Sequence, residues 1–234
     1  MASALFVVSE EGYWGEECAN PLDALRTEDF DIDVATPSGS KPVIDETSLD
    51  TDSPFVTEEA AELAQEIHEG YEGIENPEPI ASVDAAGYDV VAFPGGHGTM
   101  WDINTDVHAR TLLRDAVEGD DGKAMVVCHA AGLFAFTRDS DGDYLVADRD
   151  VTGFPNEWEA DIVDEYDRLP DGRKLPYWVE DEVRAVGADW DAEPDAEESV
   201  TVDGDLITAR GPLSSGAAAD ALLSELGVEA SASD

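Results

Sequence analysis

The sequence predicts an α/β fold built on a mostly parallel sheet. Three observations carry this expectation. Short apolar runs bounded by turn residues recur along the chain, stretches of helical character separate them, and 42% of the 234 residues are hydrophobic, enough for a sizeable core. The length suits one domain spanning residues 1–234.

Strands are expected at Ala4 to Val8, Ile32 to Ala35, Val90 to Phe93 and Ala124 to Cys128, each a run of buried-strand character. A first helix is expected from about Cys18 to Thr27 with Leu22 and Leu25 inward. A second, Glu58 to Glu69, follows Thr57 as N-cap and opens on acidic residues that suit a helix N-terminus. Between them, 37–57 is rich in Ser, Asp, Thr and Pro and reads as a surface excursion placed to cover a site. After Asp102 an acidic helix to about Val117 precedes the fourth strand. Asp143 to Gly153 reads as a hairpin or paired strands. Val200 to Val202 and Leu206 to Thr208 flank Asp203-Gly204, whose positive φ angles suit a two-residue hairpin turn. A last helix runs from Ser214 to Leu226.

Fifty-six Asp and Glu against 12 Lys and Arg give a formal net charge of -44. Self-repulsion of that size opposes compaction, and molar salt, with a Debye length of about 3 Å, relieves it. With lysine confined to Lys41, Lys123 and Lys174, a salt-accumulating, haloarchaeon-like source is expected. Nucleic acid and anionic membranes are excluded as partners, since both need clustered basic residues. There is no basic n-region or transmembrane-length apolar run, which points to a cytoplasmic protein. Two cysteines are too few for a disulfide framework, and four dispersed histidines predict no metal.

The chemistry-bearing segment is Val126-Val127-Cys128-His129-Ala130-Ala131-Gly132, a strand followed by a thiol at a sharp turn and then small residues opening an apolar helix. A nucleophile so placed is exposed at the carboxyl end of a sheet, and the helix N-terminus favours its thiolate. A buried structural cysteine is the competing reading. Phe93-Pro94-Gly95-Gly96-His97-Gly98 follows a neighbouring strand, so amides around Gly95, Gly96 and His97 can join that of His129 as an oxyanion hole. An ordinary tight turn would have the same glycines. Cys18 reads as a packed helix residue, and His68 and His108 as surface residues.

Phe93 to Gly98 with Trp101-Asp102, Val127-Cys128-His129, Gly15-Glu16-Glu17-Cys18-Ala19-Asn20-Pro21, Thr152-Gly153-Phe154 and the Asp203-Gly204 hairpin together resemble the ThiJ/PfpI superfamily, a class I glutamine amidotransferase-like group. The closest resemblance is to its heat-shock chaperone and glyoxalase III branch. The resemblance implies a flavodoxin-like, doubly wound sheet sandwiched by helices, and a homodimer. It implies Cys128 as nucleophile and His129 beside it. Glu17, four residues before Pro21, is the hydrogen-bonding glutamate, with Glu16 its competitor. Glu159 after the Thr-Gly-Phe segment best fits the carboxylate that orients His129, with Glu157 close by. Ala130-Ala131 stands where relatives carry Gly-Pro, and Ala209-Arg210-Gly211-Pro212 departs from a late Gly-x-Asn-Pro stretch.

The activity implied is a cofactor-free, glutathione-independent glyoxalase, a lyase converting the small dicarbonyl methylglyoxal to lactate in a stress or detoxification role. A holding chaperone or peroxide-sensing protein is the alternative, and a protein deglycase or an amidase/peptidase-like hydrolase a further one.

Overall fold

The computed structural model describes residues 2–119, 122–191 and 198–228. Seven strands form the main sheet: β1 (Ser3–Val7), β2 (Asp31–Thr36), β3 (Glu78–Pro79), β4 (Val90–Phe93), β5 (Lys123–Val127), β8 (Val200–Asp203) and β9 (Leu206–Ala209), in the order β3-β2-β1-β4-β5-β9-β8. Every neighbouring pair is parallel except β8 with β9, where the edge strand returns antiparallel. From Ala4 onward β1 is continuous apolar sequence because both its faces are covered, as parallel strands require. Leu5, Val91, Phe93 and Val126 face one core and Phe6, Ala92, Met125 and Val127 the other, the alternation of a pleated strand.

Helices α1 (Gly15–Thr27), α2 (Glu58–Gly70), the short α3 (Glu72–Glu75) and α7 (Ser215–Glu225) cover the second core, and α4 (Val107–Glu118) and α6 (Val179–Ala185) the first. The predicted flavodoxin-like α/β class is the architecture observed. Strand order reverses between β1 and β4, and in such sheets the crevice at the carboxyl ends beside a reversal is where ligands bind. The ends of β1, β4 and β5 therefore frame the site.

Several predicted elements are corrected. α1 begins a turn before Cys18: Pro21 suggests a first helical turn, yet the helix runs through it. α4 starts only after Asp106, whose carboxylate caps the amides of His108 and Ala109. Asp102 is instead used to hold the chain after β1, accepting from Ser9 Oγ at 2.9 Å and Glu10 N at 2.7 Å. The stretch 143–153 is not a hairpin. Its β6 (Asp150–Val151) pairs in parallel with β7 (Asp189–Trp190), a partner too distant in sequence for a local pattern to reveal. The β8–β9 turn is one residue later than expected: Asp203 pairs with Leu206, leaving Gly204-Asp205 as the turn with Gly204 at φ +61°.

The segment 37–57 departs from a simple surface excursion. Ile44 bridges to Tyr13, buried Ser48 accepts the Gly15 amide at 3.0 Å, and a 3-10 turn spans Glu46–Leu49. Thr57 caps α2 as predicted, accepting from Ala60 N.

Candidate active site

Cys128 closes β5 with φ +60°, a left-handed conformation that a residue with a Cβ adopts only when its surroundings impose it. This is the sharp elbow the sequence predicts. The residues after it form a 3-10 turn over Cys128–Ala135 rather than an α-helix. Two backbone amides, those of Gly96 and His129, are aimed at the sulfur. The side chain is 2% exposed.

Glu17 reaches this sulfur from the first turn of α1. Its Oε2 accepts the Gly95 amide at 2.9 Å, and the carboxyl lies beside the thiol, its Oε1 buried with no hydrogen-bond partner among the described residues. Burial raises Glu17 to about 8, against the pull of the neighbouring Cys128 thiol and the Gly95 amide, so it is protonated at neutral pH. The thiol is raised as well, first by burial and then by Glu17, with the Gly96 and His129 amides acting in the opposite direction. A lowered thiol pKa, the sequence expectation, is therefore not what the resting site provides. The cause is burial against a carboxyl in place of an exposed α-helix N-terminus.

Gly95 also changes role. Its amide is occupied by Glu17, leaving Gly96 and His129 as the two amides on the sulfur. A Cβ at Gly95 would stand 2.6 Å from Glu17 Oε2 and 2.7 Å from Cys128 Cβ, so only glycine lets β4 approach the elbow. Gly96, at φ +101°, turns the chain immediately afterwards.

His129 Nδ1 lies 3.2 Å from Cys128 Sγ, and its Nε2 lies 2.7 Å from Glu159 Oε2. The other Glu159 oxygen holds His97 Nε2 at 2.9 Å. Glu159 is buried on α5 (Asn156–Ile162), whereas Glu157 is exposed two residues earlier. Burial alone would raise the Glu159 carboxyl, but the two imidazoles outweigh it and hold it well below the usual carboxylate range. An ionised carboxylate only accepts, so both Nε2 atoms carry the proton and His129 Nδ1 is left as an acceptor facing the thiol. Burial lowers His129 to about 4, keeping it neutral. The imidazole is held in place by Phe154, stacked at 4.4 Å between centroids.

His97, expected as an oxyanion or substrate residue, thus shares Glu159 with His129, their ring centroids 4.0 Å apart. Donor atoms of His97, His129 and Glu159 all lie within 4.8 Å of one another, so this trio is the grouping able to hold a metal ion among the described residues. Sequence spacing cannot show it, because the three come from separate elements. Cys18 is buried in the second core, its thiol pushed up to about 12 by burial.

Apart from His97, residues that sequence reasoning missed form the walls. A cavity of about 20 Å³ over the thiol is bounded by Trp14, Phe55, His97, Phe154, Ile162 and Pro212. Phe55 comes from the segment 37–57, which therefore does cover the site. Trp14, Phe55, His97 and Ile162 also border a cleft of about 480 Å³ that opens outward. Phe154 belongs to the Thr152-Gly153-Phe154 motif, which by itself does not reveal a wall.

Fold and site together define a flavodoxin-like α/β protein with a cysteine, a histidine and two glutamates gathered at the carboxyl ends of its strands. No protein-family model matches the chain. It is 24% identical to Glyoxalase 3 of Candida albicans over 209 residues, 87% of this chain and 84% of that protein. The solved glyoxalase III of Candida albicans superposes with a TM-score of 0.80 at 22% identity, covering 95% of this chain and 96% of that one. The Rapid Encystment Protein 24 kDa of Francisella tularensis gives 0.81 at 23% identity over 97% and 99% of the two chains. A ThiJ/PfpI domain protein from Brachyspira murdochii gives 0.63 at 18% identity over 96% of each. The fold is that of the ThiJ/PfpI, DJ-1-like structures, and the Glyoxalase 3 likeness supports the superfamily resemblance.

Proposed function

We propose that this chain is a cysteine-dependent, glutathione-independent glyoxalase of the ThiJ/PfpI superfamily that converts methylglyoxal to lactate. The observation that carries the reading is the run of contacts from Cys128 Sγ to His129 Nδ1 and from His129 Nε2 to Glu159, with protonated Glu17 close to the thiol. The Glyoxalase 3 likeness supplies the substrate class.

In this reading the thiol gives its proton to His129 Nδ1 as sulfur bonds to the aldehyde carbon, and the carbonyl electrons move to oxygen. The Gly96 and His129 amides and the Glu17 O–H stabilise that oxygen, which takes up the proton. His129, freed again, removes the hydrogen from the former aldehyde carbon. The resulting enediol is reprotonated on the adjacent carbon, giving a lactoyl thioester. The aldehyde carbon is oxidised and its neighbour reduced within one molecule, so no external oxidant is needed. Water then breaks the S–C bond, releasing lactate and restoring the thiol. Glu159 stays ionised throughout and stabilises the imidazolium when it forms.

A peroxide sensor draws less support, since oxidation favours exposed, low-pKa thiols and Cys128 is buried with a raised one. Methylglyoxal consumption by the wild type at molar salt, compared with Cys128→Ala, tests the proposal. Equal consumption by the two proteins would sink it.

A further inference from the structure

The two spaces at the site share four lining residues, Trp14, Phe55, His97 and Ile162, and differ in size and lining. The space at the sulfur, about 20 Å³, has room for a water-sized group and so for a carbonyl, not for a substrate with its substituent. These four shared walls set the outer cleft directly beside that space, the nearest room for whatever is attached to the carbonyl. That cleft, about 480 Å³, is of a size that encloses ligands much larger than a three-carbon dicarbonyl. Val43, Leu169 and Pro170 continue its apolar wall. Glu11, Asp45, Glu46 and Asp171 border it against the cation Arg173, whose guanidinium lies over the Trp101 ring at 4.0 Å. An anionic substituent would leave water for apolar walls beside four carboxylates, an unfavourable transfer at any salt concentration.

We infer that the preferred substrates are uncharged α-oxoaldehydes whose substituent is apolar and larger than methyl, an aryl or branched alkyl group seated in the outer cleft. This rests on the glyoxalase reading of Cys128 and extends it to the group beyond the reacting carbons. The chemistry at the sulfur is unchanged: the same S–C bond forms and breaks, and the product is the corresponding 2-hydroxy acid.

The test compares kcat/KM for phenylglyoxal, methylglyoxal and a phenylglyoxal carrying a ring carboxylate, all at molar salt. Phenylglyoxal should exceed methylglyoxal at least tenfold, and the carboxylated analogue should fall about tenfold below phenylglyoxal, the range expected when an apolar pocket gains or loses a group of this kind. Val43 is 56% exposed, so Val43→Asp can place a charge on the cleft wall without disturbing the core, and it should lower the phenylglyoxal-to-methylglyoxal ratio severalfold. Val107→Asp, at 57% exposed on α4 away from the cleft, should leave that ratio unchanged. Turnover of methylglyoxal with a ratio at or below one, a ratio insensitive to Val43→Asp, or an anionic analogue used as well as phenylglyoxal overturns the inference while the glyoxalase reading stands. Turnover of none of the three overturns both.

Discussion

At the scale of single residues, Glu159 ties the site together, because one buried carboxylate fixes the orientation of two imidazoles. Glu159→Gln keeps the volume but replaces one acceptor oxygen with a donor, so His129 should lose its tautomer and orientation. We expect kcat/KM for methylglyoxal to fall about 10²-fold or more, with a smaller change for Glu157→Gln. Similar losses for both variants would contradict the role of Glu159. Glu17 gives a pH signature. Its folded pKa, about 8, lies above the ordinary carboxyl value of 4.5, so it contributes stability fully present below about pH 4.5 and lost as pH rises through 8. Glu16, raised to about 7 by burial, acts with the same sign. Glu17→Gln should therefore flatten the fall in thermal midpoint between pH 5 and 9, an effect on the order of a few kcal/mol. A variant as pH-sensitive as the wild type would show that Glu17 is ionised in the fold. Gly95→Ala, pressing a methyl between Glu17 and Cys128, should cost about 1–3 kcal/mol as well as activity. Cys128, His129 and Glu17 were legible because each belongs to a short motif beside a strand end. The shared use of Glu159 by His97, and of the Gly95 amide by Glu17, was not. Those contacts join residues 62 and 78 apart in sequence, and only the folded backbone sets their distances.

Among the elements, the central strands were readable to within a residue because both faces of a parallel strand are apolar and the run stands out unaided. Elements whose partner is remote were not: β6 pairs with β7 across 39 residues, and its two-residue length leaves no period to read. The segment 37–57 shows the same limit. Its polar composition predicts a loop, and nothing local announces that Phe55 packs against Trp158 and walls the cavity over the thiol. Thr57, at the end of this segment, caps α2, which in turn packs against the helix that carries Glu17. Thr57→Ala should cost about 1 kcal/mol of stability by chemical denaturation. No loss, with helix content unchanged, would mean that the cap contributes nothing here.

For the whole molecule, a charge of -44 dominates the solution behaviour. Ion pairs such as Arg26–Asp23 and Arg173–Asp171 form, but 12 Lys and Arg cannot neutralise 56 Asp and Glu, so repulsion between like charges dominates the surface. Raising KCl from about 0.2 to 3 M should lift the thermal midpoint by on the order of 10 °C, as repulsion is screened over a few ångströms. A midpoint that falls with salt would contradict a fold adapted to it. Among the described residues no helix is long and apolar enough to cross a membrane. The charge thus sets the medium in which the site must be assayed, while Cys128, His129, Glu17 and Glu159 form a small buried network shielded from that surface.

The most direct test of that network is methylglyoxal turnover at molar salt by the wild type, Cys128→Ala and Glu17→Gln, read as lactate formed. Lactate from the wild type, none from Cys128→Ala and a strongly reduced yield from Glu17→Gln is the outcome expected. Lactate formed by Cys128→Ala at the wild-type rate would contradict it.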